Sequence, residues 1–149
     1  MVFDAVNGEE VQRYTYDESV SSLCVSPDGS KIVVGQRASA ATITDLDSGE
    51  TVGRLEGHSD WIGGISYFPD DQRIVTTGSN PDRDLRIFES SSGALLAVLK
   101  DSASGSGPGS PALPSPIGSL LASATTNGFK VWDSIASTDE IWLYDSLDD

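Results

Sequence analysis

The chain has 149 residues, 38% of them hydrophobic and 21% charged, which fits one folded domain with a core and excludes a disordered protein. Its 23 acidic residues outnumber 9 basic ones, and the formal net charge of −14 argues against binding to nucleic acid or to an anionic membrane. No apolar stretch is long enough for a membrane span, and the opening residues lack the features of a signal peptide. Because Cys24 is the single cysteine, no disulfide can form within the chain, and we expect an intracellular location, cytoplasmic or nuclear.

Residues 1–19 contain two short β-rich runs. The first ends in Val-Phe-Asp at Asp4, and the second is the run EEVQRYTY that starts at Glu9. We interpret this segment as the end of a preceding repeat unit, with the end of its third strand and its fourth strand.

Residues 20–58 contain four β-rich runs separated by turn sequences. Ser-Pro-Asp-Gly at 26–29 precedes the run KIVVG, and Asp-Leu-Asp at 45–47 precedes the run TVGRLEGH. Proline presets φ and glycine accepts a positive φ, so these short polar segments favour tight turns between paired strands. The pattern predicts a four-stranded antiparallel unit.

Residues 61–101 repeat the same order. Phe-Pro-Asp-Asp at 68–71 precedes the run RIVTTGS, and Ile-Phe-Glu at 87–89 precedes the run ALLAVLK. We therefore expect a second unit of the same kind.

The remaining residues form a less regular third unit. Residues 102–111 are rich in Gly, Ser and Pro and indicate a flexible linker, residues 112–145 a degenerate unit, and residues 146–149 an acidic tail. Ser-Pro-Ile-Gly at 115–118 and Val-Trp-Asp at 131–133 keep the order of the earlier turns and strands. Pro111, Pro114 and Pro116 cannot donate backbone hydrogen bonds, so a central strand is not expected there.

An apolar residue followed by an acid closes the third strand of each unit. We place these apolar residues at Phe3, Leu46, Phe88 and Trp132, which are 43, 42 and 44 residues apart. A repeat of about 40–45 residues with four strands is typical of one propeller blade. The fold class predicted is all-β.

With this period and these turns, the sequence resembles the WD-repeat family. The match extends over residues 46–79, and again over LLASATTNGFKVWD at 120–133. The resemblance implies a partial β-propeller of about three four-stranded antiparallel blades.

The resemblance also implies a buried polar network in each blade. In the second unit its members would be His58, Thr77 (or Ser79) and Asp82, with Phe88 in the tryptophan position. In the third unit the matching members are Ser123 and Trp132. In the first unit Leu46 takes the tryptophan position, so no unit has a complete set.

The sequence gives little support to an enzyme. His58 is the only histidine, and the network accounts for it, so neither a serine–histidine–aspartate site nor a multi-histidine metal site is expected. No cofactor is predicted.

Binding is the function that the resemblance implies. In such blades two sets of loops gather on one face, and in the second unit they hold the candidate partner-binding residues Asp60, Trp61, Asn80 and Arg83. We expect a non-catalytic scaffold, a fragment of a larger WD-repeat protein, that binds a neutral or basic protein or peptide. The alternative is a self-assembling propeller that binds a carbohydrate or another small ligand, with a homo-oligomer completing the ring, since a closed propeller has about four to eight blades.

Overall fold

The computed structural model describes residues 1–79, 81–100, 111–124 and 129–133, together with the backbone of Glu140–Ile141. These residues form fourteen β-strands, so the all-β prediction is confirmed. The strands are β1 Val2–Phe3, β2 Glu10–Gln12, β3 Val20–Val25, β4 Lys31–Gln36, β5 Ala41–Asp45, β6 Thr51–Leu55, β7 Ile62–Tyr67, β8 Arg73–Gly78, β9 Leu85–Glu89, β10 Leu95–Leu99, β11 Leu113–Pro114, β12 Leu120–Ala124, β13 Phe129–Asp133 and β14 Glu140–Ile141.

The strands form three four-stranded antiparallel sheets in chain order. Sheet one contains β3 to β6, sheet two β7 to β10 and sheet three β11 to β14. Strands β1 and β2 form a separate two-stranded sheet. Residues 102–110 of the predicted linker lie outside the described residues, as does the acidic tail at 146–149.

The turn between the first two strands of each sheet recurs with the same hydrogen bonds. In sheet one, Ser26 and Lys31 are bonded across the turn and Gly29 donates to Ser26 O. The same pairs of bonds form in the segments Phe68 to Arg73 and Ser115 to Leu120. The fourth residue of each turn has a positive φ, of 76° at Gly29, 60° at Asp71 and 71° at Gly118.

The turn between the last two strands recurs as closely. Gly49 N donates to Asp45 O with a positive φ of 74°, and Asp45 N donates to Glu50 O. The corresponding glycines Gly8 and Gly93 have the same φ and the same bond to the residue four positions earlier. Each of these two kinds of turn thus has a constant length, and this length sets the register of the strands that it joins.

The connection between the second and third strands varies in length. Five residues separate the paired residues Gly35 and Ala41 in sheet one, and seven separate Thr77 and Leu85 in sheet two. The register of the flanking strands is the same in both sheets, because Lys31 pairs with Asp45 as Arg73 pairs with Glu89.

The sheets pack face to face and bury two apolar clusters. One cluster lies between sheets one and two and includes Val33, Ile43, Ile65 and Phe88, with Cys24 partly buried against it. The other lies between sheets two and three, and its larger members are Phe68, Val75, Leu85, Ile87, Leu121 and Trp132. Burial of these side chains is the main favourable contribution to stability.

Sheet three has the shortest described first strand. Strand β11 has two residues and lies at the edge of the sheet. An edge strand leaves one side of its backbone without a ladder partner, which accommodates Pro114. The prolines therefore limit this strand, as the sequence predicts.

Candidate functional site

The antiparallel order of the strands gives each sheet two different edges. The turn edge carries the two kinds of fixed-length turn described above. The loop edge carries the longer connections, which follow β4, β6 and β8 at residues 37–40, 56–61 and 79–84. Among the described candidate site residues of the second unit, all except Thr77 belong to loop-edge connections.

A buried polar network joins two of these connections. His58 Nδ1 lies 3.0 Å from Asp82 Oδ2, and His58 Nε2 lies 2.7 Å from Thr76 Oγ1. The Ser59 backbone N–H also donates to Asp82 Oδ2, at 2.7 Å. All three side chains of the network are buried. The network fixes residues 56–61 against residues 79–84, and both against strand β8.

Arg86 of β9 is a fourth member that the sequence analysis missed. Its Nη1 lies 2.8 Å from His58 Nδ1 and 3.1 Å from each oxygen of Asp82. The guanidinium of Arg86 can only donate and the carboxylate of Asp82 can only accept, so Nδ1 of His58 lies between a donor and an acceptor. A signal was present in the sequence, because Arg86 shares a strand face with the buried Phe88 two residues later.

The charges in the network follow from this geometry. Burial, and next the charge of Arg86, lower the pKa of His58. Burial acts to raise the pKa of Asp82, but the Ser59 N–H and Arg86 outweigh it and lower that pKa. Near neutral pH the network therefore contains a neutral imidazole beside a carboxylate–guanidinium pair. Both ring nitrogens of His58 have polar partners within the protein, so His58 holds the two loop-edge connections together.

The threonine in the network is Thr76, which corrects the assignment of Thr77. Neighbouring residues of a strand point to opposite faces of the sheet, so only one of two consecutive threonines can face His58. Thr77 Oγ1 lies 3.4 Å from the Gly64 carbonyl of β7. The alternative, Ser79, follows β8, and its N–H donates to the Trp61 carbonyl.

Sheet three holds the matching pair of side chains. Trp132 Nε1 donates to Ser123 Oγ at 3.2 Å, and both residues are buried. Ser123 pairs with Lys130 as Thr76 pairs with Arg86, so Ser123 and Thr76 occupy the same register position.

The register also corrects the tryptophan position of sheet one. Ile32 pairs with Thr44, as Leu121 pairs with Trp132 in sheet three, so the position belongs to Thr44 and not to Leu46. Leu46 lies in the following turn, where its N–H donates to Ser30 O. The Tyr16 hydroxyl lies 3.5 Å from Thr44 Oγ1. Along the chain, Tyr16 precedes the start of β3 by as many residues as His58 precedes the start of β7.

The candidate partner-binding residues lie on the loop edge. Trp61 is 37% exposed, and the guanidinium of Arg37 stacks over its ring at 4.5 Å. Asp60 is half-buried and accepts the Trp61 N–H, while Arg83 is exposed beside Asp82. Asn80 lies outside the described residues. Arg37 was missed, although its place between the second and third strands matches that of Arg83.

Within the described ranges, no group of three or more His, Cys, Asp or Glu side chains could hold a metal ion. In the same part of the chain, no helix has the length and apolar character needed to cross a membrane.

Comparison of the sequence with known proteins identifies the same kind of repeat. Residues 49–89 match the family model for the WD domain, G-beta repeat. An 81-residue segment, 54% of the chain, is 32% identical to an uncharacterized WD repeat-containing protein of Synechocystis sp., and it spans 23% of the length of that relative.

The matched segment runs from the last turn of sheet one through β6, β7 and β8 to the end of β9. The sequence repeat thus includes the last strand of one sheet and the first three strands of the next. This offset links consecutive sheets along the chain. Residues 49–89 are therefore a WD40 repeat, and the four-stranded antiparallel sheets of this chain are consistent with WD40 blades.

Proposed function

We propose that this chain is a non-catalytic protein-interaction module whose loop edge makes the contact with its partner. The observation that carries the proposal is the exposed Trp61 ring under the guanidinium of Arg37. Tryptophan and arginine are enriched among the residues that dominate binding energies. The His58 network supports the surface from below, because it fixes residues 56–61 before a partner arrives and so lowers the entropy lost on binding.

The proposed partner is a neutral or basic protein or peptide. The formal net charge of −14 attracts basic surfaces and repels nucleic acid and anionic membranes. An intracellular location, cytoplasmic or nuclear, belongs to the same proposal and is supported by the single cysteine.

Peptides selected by phage display against the intact chain would test the role of Trp61. We expect Trp61→Ala to weaken binding of the selected peptides, measured by fluorescence polarisation, by about tenfold or more. Val6→Ala is the matched control, since Val6 is an exposed apolar residue of a turn-edge turn. Equal loss in the two variants, or no loss in either, would contradict the proposal.

A second candidate function is that copies of the chain associate into a ring that binds a carbohydrate or another small ligand. A cavity of about 260 Å³ lies between the first strands of the sheets, lined by Ser21, Ser22, Gly63, Gly64 and Pro111 among others. Leu23 on the outer face of sheet one is 59% exposed, and Leu113 in sheet three is 61% exposed. These apolar side chains favour association of copies.

A further inference from the structure

Strands β1 and β2 have the geometry of the last two strands of a complete sheet. The turn that joins them has the same two hydrogen bonds as the turn between β5 and β6. Phe3 and Val2 pair with residues two apart on β2, and Phe88 and Ile87 do the same on β10. Phe3 therefore occupies the register position of Phe88, and β1 takes the place of a third strand.

One edge of β1 is open to another strand. Among the described residues, β1 pairs with β2 alone. Phe3 is 53% exposed, whereas Phe88 and Trp132, which have the same position next to a second strand, are 1% and 2% exposed. An edge strand presents backbone N–H and C=O groups, so it is a template for pairing with an extended segment.

The β1–β2 hairpin lies against sheet one. Tyr14, two residues beyond β2, has the register of Leu55, which packs between sheets one and two. The Tyr14 hydroxyl donates to the Leu46 carbonyl at 2.9 Å. The hairpin thus stacks on sheet one as sheet one stacks on sheet two.

Strand β3 has an exposed apolar face on the side of the hairpin. In the complete pair of sheets, β7 lies against β3 and β4, and its residues Ile65 and Tyr67 are buried in the cluster between them. Leu23 and Val25 have the same register on β3, but they are 59% and 47% exposed. A strand added to β1 would lie against β3 as β4 lies against β7, so it would cover both side chains.

Asp4 gives the open edge a charge preference. In sheets one and two the acid that ends the third strand pairs with a base, Asp45 with Lys31 and Glu89 with Arg73. Asp4 has the same position, and its Oδ1 accepts the N–H groups two and three residues later, as that of Asp45 does. A lysine or arginine opposite Asp4 would therefore complete a pair of opposite charges across the two strands.

The next two residues of such a strand are expected to be apolar. Ile32 and Ile74 follow the two bases and pair with the residues that share the register of Phe3. Val33 and Val75 come next, and they pack into the clusters between the sheets. A strand that is covered on both faces has apolar side chains on both. The order base, isoleucine, valine therefore fits the edge of β1 and the exposed face of β3 at once.

We propose that an extended segment of the protein partner, with a base followed by isoleucine or leucine and then valine, adds to β1 as an antiparallel strand. Its base pairs with Asp4, the next side chain lies beside Phe3, and the third covers Leu23 and Val25. The segment comes from a partner, because residues 31–33 and 73–75, which have this order, already lie inside sheets one and two. The inference rests on the proposed function only in that the ligand is a protein, since Trp61 takes no part in it.

Titration of the intact ¹⁵N-labelled chain with peptides tests the proposal. The probe is the acetylated and amidated peptide GSKIVVGQ, which has the sequence of residues 29–36. We expect it to shift the amide signals of residues 1–4 and 23–25 and to slow hydrogen exchange at residues 2–3. The scrambled peptide VSGIQGVK is the control. Equal binding of the two peptides, or shifts confined to the loop edge, would overturn the proposal.

A change of charge in the peptide tests the contact with Asp4. We expect GSEIVVGQ, in which glutamate replaces the base, to bind about threefold to tenfold more weakly than GSKIVVGQ, because like charges would stand opposite each other. Asp4→Asn keeps the oxygen that accepts the turn N–H groups and removes the charge, so this difference should fall to about twofold or less. Asp17→Asn, an exposed acid outside β1 and its turn, should keep the full difference. An undiminished difference in Asp4→Asn would contradict the pairing.

A substitution on β3 tests the contact with sheet one. Leu23→Ser removes apolar surface that the peptide would cover, so it should weaken binding of GSKIVVGQ by about threefold or more. Val6→Ser is the matched control, since Val6 is 97% exposed in the turn after β1. Equal binding by Leu23→Ser and the unchanged chain would show that the peptide does not cover β3, against the proposal.

Light scattering distinguishes a partner from a second copy. We expect a chain that is mainly monomeric at the concentration of the titration. A stable dimer whose exchange at residues 2–3 is slow before any peptide is added would mean that a second copy covers β1, and the proposal would be wrong.

The variant Trp61→Ala separates this proposal from the loop-edge contact. It should leave binding of GSKIVVGQ unchanged. If GSKIVVGQ fails to bind while the peptides selected by phage display still require Trp61, the strand addition is wrong and the loop-edge proposal stands.

Discussion

At the scale of single residues, burial and then Arg86 keep His58 of the network neutral. Arg86 lies close to both His58 Nδ1 and the Asp82 carboxylate, so the positive charge of a protonated imidazole would lie beside a guanidinium. A protonated imidazole would also have to be desolvated, since His58 is buried. The folded state therefore binds a proton at His58 less readily than the unfolded state does.

This difference predicts how stability depends on pH. The pKa of His58 is lowered in the folded chain from an ordinary value of 6.5, so protonation favours unfolding. The stabilising contribution is present above that ordinary value and is lost as the pH falls below it, by at most about 1.4 kcal/mol per pH unit. Urea unfolding of the chain between pH 8 and pH 5.5 should show this decline.

His58→Gln serves as the comparison for this experiment. Glutamine does not titrate, and the variant keeps the other ionisable groups, so the difference in slope between the two proteins isolates the histidine. We expect the variant to be less stable at pH 8 and to depend less on pH over this range. Parallel curves for the two proteins would show that His58 has the same pKa in both states.

At the scale of strands and turns, the first turn of each sheet requires a positive φ at its fourth residue. A side chain at Gly29 would meet no atom within 4 Å, so its substitution tests the backbone conformation alone. Gly29→Ala should lower the free energy of unfolding by about 1–2 kcal/mol, because alanine is strained in the left-handed region. Gly29→Asn should cost less, since asparagine visits that region more readily. Urea denaturation of both variants would measure the difference, and equal losses would speak against backbone strain as the cause.

The sequence predicts these elements well because turn chemistry and strand alternation are local. The four-stranded order and the turns at 26–29, 68–71 and 115–118 all follow from proline, glycine and aspartate placed between apolar runs. Placement of Leu46 in the tryptophan position was an error of two residues. A shift of two keeps a side chain on the same face of the sheet, so the alternation cannot distinguish Leu46 from Thr44.

The candidate network was harder to predict than the strands. His58 and Asp82 come together, but the choice between Thr76 and Thr77 depends on which face β8 turns toward sheet one. Both residues are threonine, so composition gives no preference. The contact of Arg37 with Trp61 joins two different sheets, and a pattern within one repeat unit cannot show it.

At the scale of the whole molecule, the sheets stack in one direction and leave two outer faces. Leu23 takes the register position in sheet one that the buried Ile65 takes in sheet two, since Leu23 pairs with Val34 as Ile65 pairs with Thr76. The position occupied by Leu113 in sheet three is that of Cys24, which packs against the core in sheet one. The outer faces thus expose apolar side chains at register positions that are buried wherever a neighbouring sheet packs on them.

We expect these faces to cause reversible association at high protein concentration. Light scattering should show a mass that rises with concentration, and added salt should strengthen association because it screens the repulsion between chains of net charge −14. Leu23→Lys should lower the associated fraction. Val6→Lys is the control, an exposed apolar residue that belongs to a turn. A monomeric mass at every concentration would contradict this expectation.

The turn edge and the loop edge of the sheets differ in how well they tolerate inserted or deleted residues. The fixed-length turns determine which side chains face the core, so an added residue there would move a whole strand's apolar set to the wrong face. The connection between the second and third strands already differs by two residues between sheets one and two, while their registers agree. Insertions and deletions can therefore accumulate at the loop edge during evolution, or be introduced there by design, without altering the core. At the turn edge, the turn length is the same in all three sheets and only the residue type differs, with Asp71 at the position that glycine takes at 29 and 118.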